Sequence, residues 1–384
     1  MSEERLKFVA RLRSGESMSE LCREFGISRK TGYKLKERYE SHGCLALDDR
    51  SRRPIRLGNK CSVQVEFAVL DWKRRKPHWG ARKLREMLVR DGAYAHRVPA
   101  VSTIHAILDR HGLVKPMGPR RQRACGTALS EPVHPNDLWC VDYKGQFQLG
   151  NGSWCYPLTV TDQASRYLLM CEALQSTNED LAFTAFERLF SERGLPTGIR
   201  SDNGVPFASP NGLFHLSKLS VWWLRLGIWP ERIKPGRPQQ NGRHERMHLT
   251  LKRETTRPSR PNSLQQQEAF DQFIQEFNEQ RPHEAIGMKR PADLYQGSPR
   301  AYKGLEELTY PLHDAKVFVG AGGMLAFRGN KIHVSRVFEG QTLGLKEVEE
   351  EAWLVSFMDF DLGYIDLETG SLQKLDNPFV SSKL

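Results

Sequence analysis

The stretch 138-LWCVDYKGQFQLGNGSWCYPLTVTD-162 decides the architecture of the central part of this chain. Two runs rich in aromatic and β-branched residues flank Gly150-Asn151-Gly152, and a Gly/Asn turn between such runs signals a hairpin. Asp142 stands inside the first apolar run. Burying a carboxylate without a partner is costly, so chemistry explains it better than packing. Working outward, residues 166–174 (RYLLMCEAL) read as a third strand. Residues 178–194 have helical periodicity, with Leu181, Phe183, Phe186, Leu189 and Phe190 available for a core. TGIRSDNG (197–204) is a fourth strand ending at Asp202, and residues 212–227 a helix with Leu216, Leu219, Trp223 and Leu226 inward. IWPERIK (228–234) is a short fifth strand, and the stretches 239–255 and 263–280 are two more helices. This order predicts a ribonuclease-H-like α/β fold over residues 133–298.

The flanks read differently. Residues 1–45 predict three helices, with Ser17 or Ser19 capping the second and Ser28 the third. A Gly26-containing turn followed by a helix bearing Arg29, Lys30, Lys34 and Lys36 is the sequence form of helix-turn-helix. Residues 60–115 predict a second such module, with Ser102 capping its last helix and Arg82, Lys83 and Arg85 as candidate phosphate contacts. Stretches 45–60 and 115–135 read as linkers. Residues 310–372 alternate in short strands, with Gly329-Asn330 and Asp361–Gly363 as turn candidates, and predict a small all-β barrel. The chain is thus expected to be multidomain: all-α, then α/β, then all-β.

Charge points to a polyanionic partner. The chain carries a net +11, yet residues 1–132 hold 29 Lys+Arg against 15 Asp+Glu, leaving the remainder slightly acidic. A basic front end of this kind suits duplex DNA. Seven cysteines form no Cys-x-x-Cys pair, so reduced thiols are expected rather than disulfides or a zinc site. No apolar run suggests a membrane helix, and the start MSEERLKFVARLRSG has no signal-peptide core, so a cytoplasmic protein is expected.

Three carboxylates stand in distinctive settings: Asp142 in WCVDYKG, Asp202 in IRSDNGVPF, and Glu245 in PGRPQQNGRHERMHLTLK. Convergent carboxylates suit magnesium or manganese, which take hard oxygen ligands, and a pair of such ions suits phosphodiester cleavage. On the Glu245 helix, Asn241, His248 and Lys252 recur on one face at three- or four-residue spacing. Lys234, Arg237, Arg243, Arg246 and Lys252 are candidate phosphate contacts. Against this, an isolated Asp-Asn-Gly is commonly a turn, and Glu245 alone would be an ordinary surface carboxylate. Asp162 reads as a strand-end residue. His244 and His248 lack the order of a zinc motif.

These motifs together resemble the catalytic core of bacterial insertion-sequence transposases of the retroviral-integrase-like DDE superfamily. RPHEAIGMKRPADLY resembles the end of that core, and the N-terminal modules resemble theirs too. The resemblance implies that Asp142, Asp202 and Glu245 bind metal, two Mg2+ or Mn2+ ions in such a family, and carry catalysis. It implies binding of element ends, cleavage there, and joining of the 3′-hydroxyl to target DNA by a multimer in the bacterial cytoplasm or nucleoid. The 42 residues between Asp202 and Glu245 exceed the family's usual gap, and the excess falls around ASPNGLFHLSKLS (208–220). A non-catalytic DNA-binding regulator and a ribonuclease H are the rival expectations.

Overall fold

The computed structural model describes residues 2–49, 61–93, 98–114, 129–234 and 236–379. The two expected linkers fall largely outside these residues, as does Cys125. Two compact units divide the chain, residues 1–64 and residues 65–384.

The first unit holds α1 (Ser2–Arg13), α2 (Met18–Glu24) and α3 (Arg29–His42) around Phe8, Val9, Leu21, Cys22, Leu35 and Leu47. Ser17 and Ser28 are the N-caps, each accepting a backbone N–H on its side chain. Gly32 on α3 is required by close approach, since a Cβ there would lie 2.6 Å from Cys22 Sγ. Two serine caps and a small residue at the crossing therefore set the helix-turn-helix geometry.

The second unit opens within α4 (Val63–Arg75) and continues with α5 (Ala81–Arg90) and α6 (Val101–Arg110), burying Val65, Val69, Leu84, Leu88, Ile104, Ile107 and Leu108. The expected cap Ser102 lies inside α6. Ala100 precedes the helix with no side-chain cap bond. These helices dock on the core: Lys76 pairs with Glu276 at 2.5 Å, Arg82 with Glu284 at 2.9 Å, and Arg90 donates to the Met288 carbonyl.

The central sheet comprises β1 (Leu138–Tyr143), β2 (Phe147–Gln148), β3 (Trp154–Asp162), β4 (Leu168–Leu174), β5 (Gly198–Ser201) and β6 (Trp229–Arg232). Its order is β4-β3-β1-β5-β6, with β2 on the start of β3. The β1–β3 and β3–β4 pairs are antiparallel, whereas β1–β5 and β5–β6 are parallel. A parallel neighbour needs a crossover, which α7 (Glu179–Arg193) and then α8 (Lys218–Arg225) supply. This is the ribonuclease-H-like topology. On one face Trp139, Val141, Leu158, Val160 and Ile199 pack against Phe186, Phe190 and Trp223. On the other, α9 (Gly242–Thr255) and α10 (Ser263–Glu279) bring Met247, Leu251, Phe270, Phe273 and Phe277 against Cys155, Leu168 and Cys171. Strand alternation hence sends Leu158 and Val160 to one face and Thr159 and Thr161 to the other. Leu181 is exposed rather than in the core, because Ala182, Ala185, Phe186, Leu189 and Phe190 form the inward stripe of α7.

The expected helix 212–227 is broken. A short 3-10 turn covers Leu213–His215, and α8 starts only after Ser217, whose capping box with Ser220 fixes the boundary. Leu219 and Trp223 face the sheet, while Leu213, Leu216, Val221 and Leu224 join the core of the C-terminal domain. The extra residues between Asp202 and Glu245 thus form a platform for that domain, tied further by Lys218–Glu339.

The C-terminal domain is one antiparallel sheet of β7 (Ala315–Gly320), β8 (Met324–Phe327), β9 (Asn330–His333), β10 (Thr342–Glu349), β11 (Ala352–Phe357), β12 (Phe360–Asp366) and β13 (Ser371–Lys374). Its order is β13-β12-β11-β10-β7-β8-β9, and the edge strands β13 and β9 approach each other, so the sheet nearly closes into a barrel. Arg328 and Gly329, both at positive φ, make the β8–β9 turn. The expected turn at Asp361–Gly363 is instead strand. Gly363 is required there because a Cβ would lie 2.3 Å from the Gln373 carbonyl oxygen. The six described cysteines are free, and among the described residues no helix is long and apolar enough to cross a membrane.

Candidate active site

Asp142 lies near the end of β1, opposite Thr159 of β3, so both side chains share the face covered by α9. Its carboxyl is partly buried, with 23% of the side chain exposed. Burial first, then repulsion from Asp202, and further repulsion from Glu245, push it up to about 7. Two carboxylates remote in sequence are thus felt at this oxygen pair. Asp202 directly follows β5, and its Oδ1 accepts the Gly204 N–H at 3.0 Å. The turn reading of Asp-Asn-Gly therefore holds, and the turn fixes the Asp202 carboxylate at the end of β5. Asn203 donates to the Ile233 carbonyl at 2.8 Å and ties this loop to the segment after β6. Glu245 is exposed in the first turn of α9.

Among the described residues no group of three or more His, Cys, Asp and Glu side chains is closed around a common metal position. Asp202 and Glu245 repel Asp142, but the three carboxylates are not a preformed cage. The donor chemistry fits a hard divalent cation, because positive charge relieves the repulsion that raises Asp142.

Two histidines that the sequence left without a role are central. His244 and His248, both buried, form a layer between α9 and β3. Thr159 Oγ1 lies 2.7 Å from Nε2 of each imidazole and donates to the Asp142 carbonyl oxygen at 3.0 Å. Thr161 Oγ1 lies 2.8 Å from His244 Nδ1. His248 Nδ1 is 3.7 Å from Asp142 Oδ2. Burial pushes His248 down to about 3 and His244 well below the usual imidazole range, so both are neutral at pH 7. The expected shared face of Asn241, Glu245, His248 and Lys252 splits accordingly: Asn241 and His248 are buried, Glu245 is exposed. The Asn241 side-chain oxygen is buried without a partner.

Thr159 and Lys144 escaped the sequence reading. The signal for Thr159 was the alternation Leu158-Thr159-Val160-Thr161, which places polar residues on one sheet face. Lys144 is partly buried, and burial followed by repulsion from Lys252 lowers its ammonium. Asp162 is the expected strand-end residue, accepting from the Asn136 and Ser165 backbones and the Ser165 hydroxyl. Glu231 is held by Arg200 at 2.5 Å and by Ser130.

The candidate DNA contacts divide. Arg29, Lys30 and Lys34 are exposed on α3, and Lys234, Arg237 and Arg243 are exposed beside the carboxylates in sequence; Lys252 is partly buried. Arg82 is engaged by Glu284. Lys83 sits over the Trp79 ring, and burial first, then repulsion from Arg281, lowers it to about 8. Arg82 thus pairs across to the core, whereas Lys83 packs on Trp79 of its own module.

The central sheet thus has a ribonuclease-H-like topology with a partly buried carboxylate in its first strand, and helical modules precede it in the chain. Integrase core domain families match residues 132–238 and 226–291, a helix-turn-helix domain family matches residues 4–55, and a homeodomain-like family matches residues 31–108. In these matches and in the relatives that follow, the chain is similar to insertion-sequence transposases of the integrase superfamily. It is 25% identical over 219 residues to the insertion element IS407 uncharacterized 31.7 kDa protein of Burkholderia multivorans, covering 56% of this chain and 75% of that one. It is 25% identical over 243 residues to the IS2 transposase InsD of Escherichia coli, covering 60% and 77%. Among solved structures it is similar to the simian T-cell lymphotropic virus intasome (TM-score 0.38, 18% identity, 76% of this chain and 97% of that chain). The HTLV-2 integrase catalytic core domain in complex with magnesium is another (TM-score 0.34, 16% identity, 43% and 100%).

Proposed function

We propose that this chain is a DNA transposase whose catalytic carboxylates are Asp142, Asp202 and Glu245. The observation that supports the reading is the position of Asp142 at the end of β1 on the face covered by α9, where burial first, then Asp202 and Glu245, raise its proton affinity. Two Mg2+ or Mn2+ ions, held by these three residues, would supply an activated oxygen nucleophile and charge relief at the leaving oxygen. The remaining work falls to the chain. The helix-turn-helix of residues 1–45 binds element ends through Arg29, Lys30 and Lys34 on α3. Lys234, Arg237, Arg243 and Lys252 steady the scissile strand's phosphates beside Glu245. Cleavage at the element end exposes a 3′-hydroxyl, which then attacks a target phosphodiester. No protein nucleophile is needed, and Tyr143 is unsuited to be one: its ring packs on Phe207, and burial raises its hydroxyl. Synapsis of two ends calls for a multimer.

The test is metal-dependent nicking of duplex carrying the element's own terminal repeat. The wild-type chain nicks it with Mg2+ or Mn2+, and Asp202→Asn loses nicking while binding the duplex with unchanged affinity. Tight binding with no nicking by the wild type would instead identify a DNA-binding regulator. Preference for RNA–DNA hybrid would identify a ribonuclease H.

A further inference from the structure

Within the site, Thr159 has a contact pattern that packing alone does not require. Its hydroxyl has one proton and two lone pairs, and it meets three neighbours. The Asp142 carbonyl oxygen can only accept, so it takes the proton. Both imidazoles must then donate Nε2–H to Thr159 Oγ1, and His244 Nδ1 accepts from the Thr161 hydroxyl. One buried oxygen hence joins the backbone of Asp142 to two residues of α9 that bracket Glu245, one position before it and three after. Thr159 is fully buried and His244 nearly so, which keeps water from substituting for these bonds.

From this geometry we infer that Thr159 is a positioning residue: with His244 and His248 it forms a clamp that sets the separation of the Asp142 and Glu245 carboxylates and so tunes the site's grip on a divalent cation. The inference rests on the assignment of those carboxylates as metal ligands. Thr159→Val keeps the shape but removes the oxygen, leaving two imidazole N–H groups and one carbonyl without their partner. Thr159→Ser keeps the oxygen and loses only a methyl.

The experiment is Mn2+ binding to the full-length chain, read by the loss of the free-ion electron paramagnetic resonance signal, alongside duplex affinity and melting temperature. Thr159→Val is expected to bind Mn2+ at least tenfold more weakly than the wild type. Its duplex affinity stays within twofold, and Thr159→Ser restores wild-type Mn2+ binding. The Mn2+ concentration that half-activates nicking should move in parallel. A purely structural role would lower the melting temperature of Thr159→Val yet leave the Mn2+ affinity of its folded fraction unchanged, and that result overturns the clamp alone. Where Thr159→Val fails to yield folded chain, His248→Asn removes one arm and carries the same expectation and the same refutation. A wild type that takes up no Mn2+ and nicks nothing overturns both the clamp and the proposed function.

Discussion

Asp142 and Thr159 face each other across β1 and β3, and the Thr159 hydroxyl donates to the Asp142 carbonyl oxygen at 3.0 Å. That register turns the Asp142 carboxyl toward α9, where burial and two acidic neighbours raise it from 3.8 to about 7. A raised carboxyl favours the fold while protonated, and this contribution is lost as pH rises from the unfolded value through about 7. Without metal, Asp142→Asn should therefore stabilise the chain at pH 8 by on the order of 2–4 kcal/mol, since each tenfold change in proton affinity is worth about 1.4 kcal/mol. The gain should vanish near pH 4. Calorimetry in chelator decides this, and equal melting temperatures at pH 8 would contradict it.

The buried imidazoles act in the opposite sense. Burial holds His248 near 3 and His244 well below the usual imidazole range, so the folded chain refuses protons that the unfolded chain accepts below about 6.5. Stability contributed by each is present above that pH and is lost as pH falls toward the folded value. Between pH 6 and pH 5, His248→Asn should show a shallower loss than the wild type, by up to about 1.4 kcal/mol per pH unit. Urea melts at the two pH values measure the slope. An unchanged slope would show that His248 titrates normally.

DNA binding through α3 should be salt-steep. Arg29, Lys30 and Lys34 are exposed there, and each phosphate contact contributes about −0.9 to the slope of log affinity against log salt. Lys34→Ala is expected to flatten that slope by about one and to weaken binding alike on all sequences. A slope that stays the same while affinity drops on one sequence alone would place Lys34 at a base edge instead.

Trp79 should control the attachment of the second helical module. It is 1% exposed, with the Lys76, Lys83 and Arg281 cations about its ring. Trp79→Ala is expected to cost about 3–5 kcal/mol locally, as large core truncations do. Hydrogen exchange should quicken in α5 and α6 and stay slow in β1, β3 and β4. Uniform quickening across the sheet would mean that Trp79 supports the whole unit rather than this docking surface.

Much of the architecture was legible because it depends on local chemistry. The Gly150–Gly152 turn, the serines at 17 and 28, and the period of residues 178–194 each specify their element without help from distant residues. Failures occurred where two cores compete for one segment. Leu216 has the spacing of a sheet-facing helix residue, yet Ser217 caps α8 one position later and leaves Leu216 to the C-terminal domain. Lys83 reads as a candidate phosphate contact on a basic helix, and only packing on Trp79 reveals its environment. The histidine pair illustrates the same limit: spacing showed that His244 and His248 share a helix face, but not which surface that face meets.

By itself the sequence determined the kinds of element, their order, the basic front end, and the identity of three acidic residues in unusual settings. Those follow from period, turn chemistry and charge, all of which are written along the chain. Only tertiary structure decided that Asp202 and Glu245 raise the Asp142 carboxyl, that Thr159 bonds to the Asp142 backbone and to two histidines of α9, and that the long gap between Asp202 and Glu245 seats the β domain. The reason is that electrostatic interaction and burial depend on distance through space, which strand register and helix packing set and residue spacing does not.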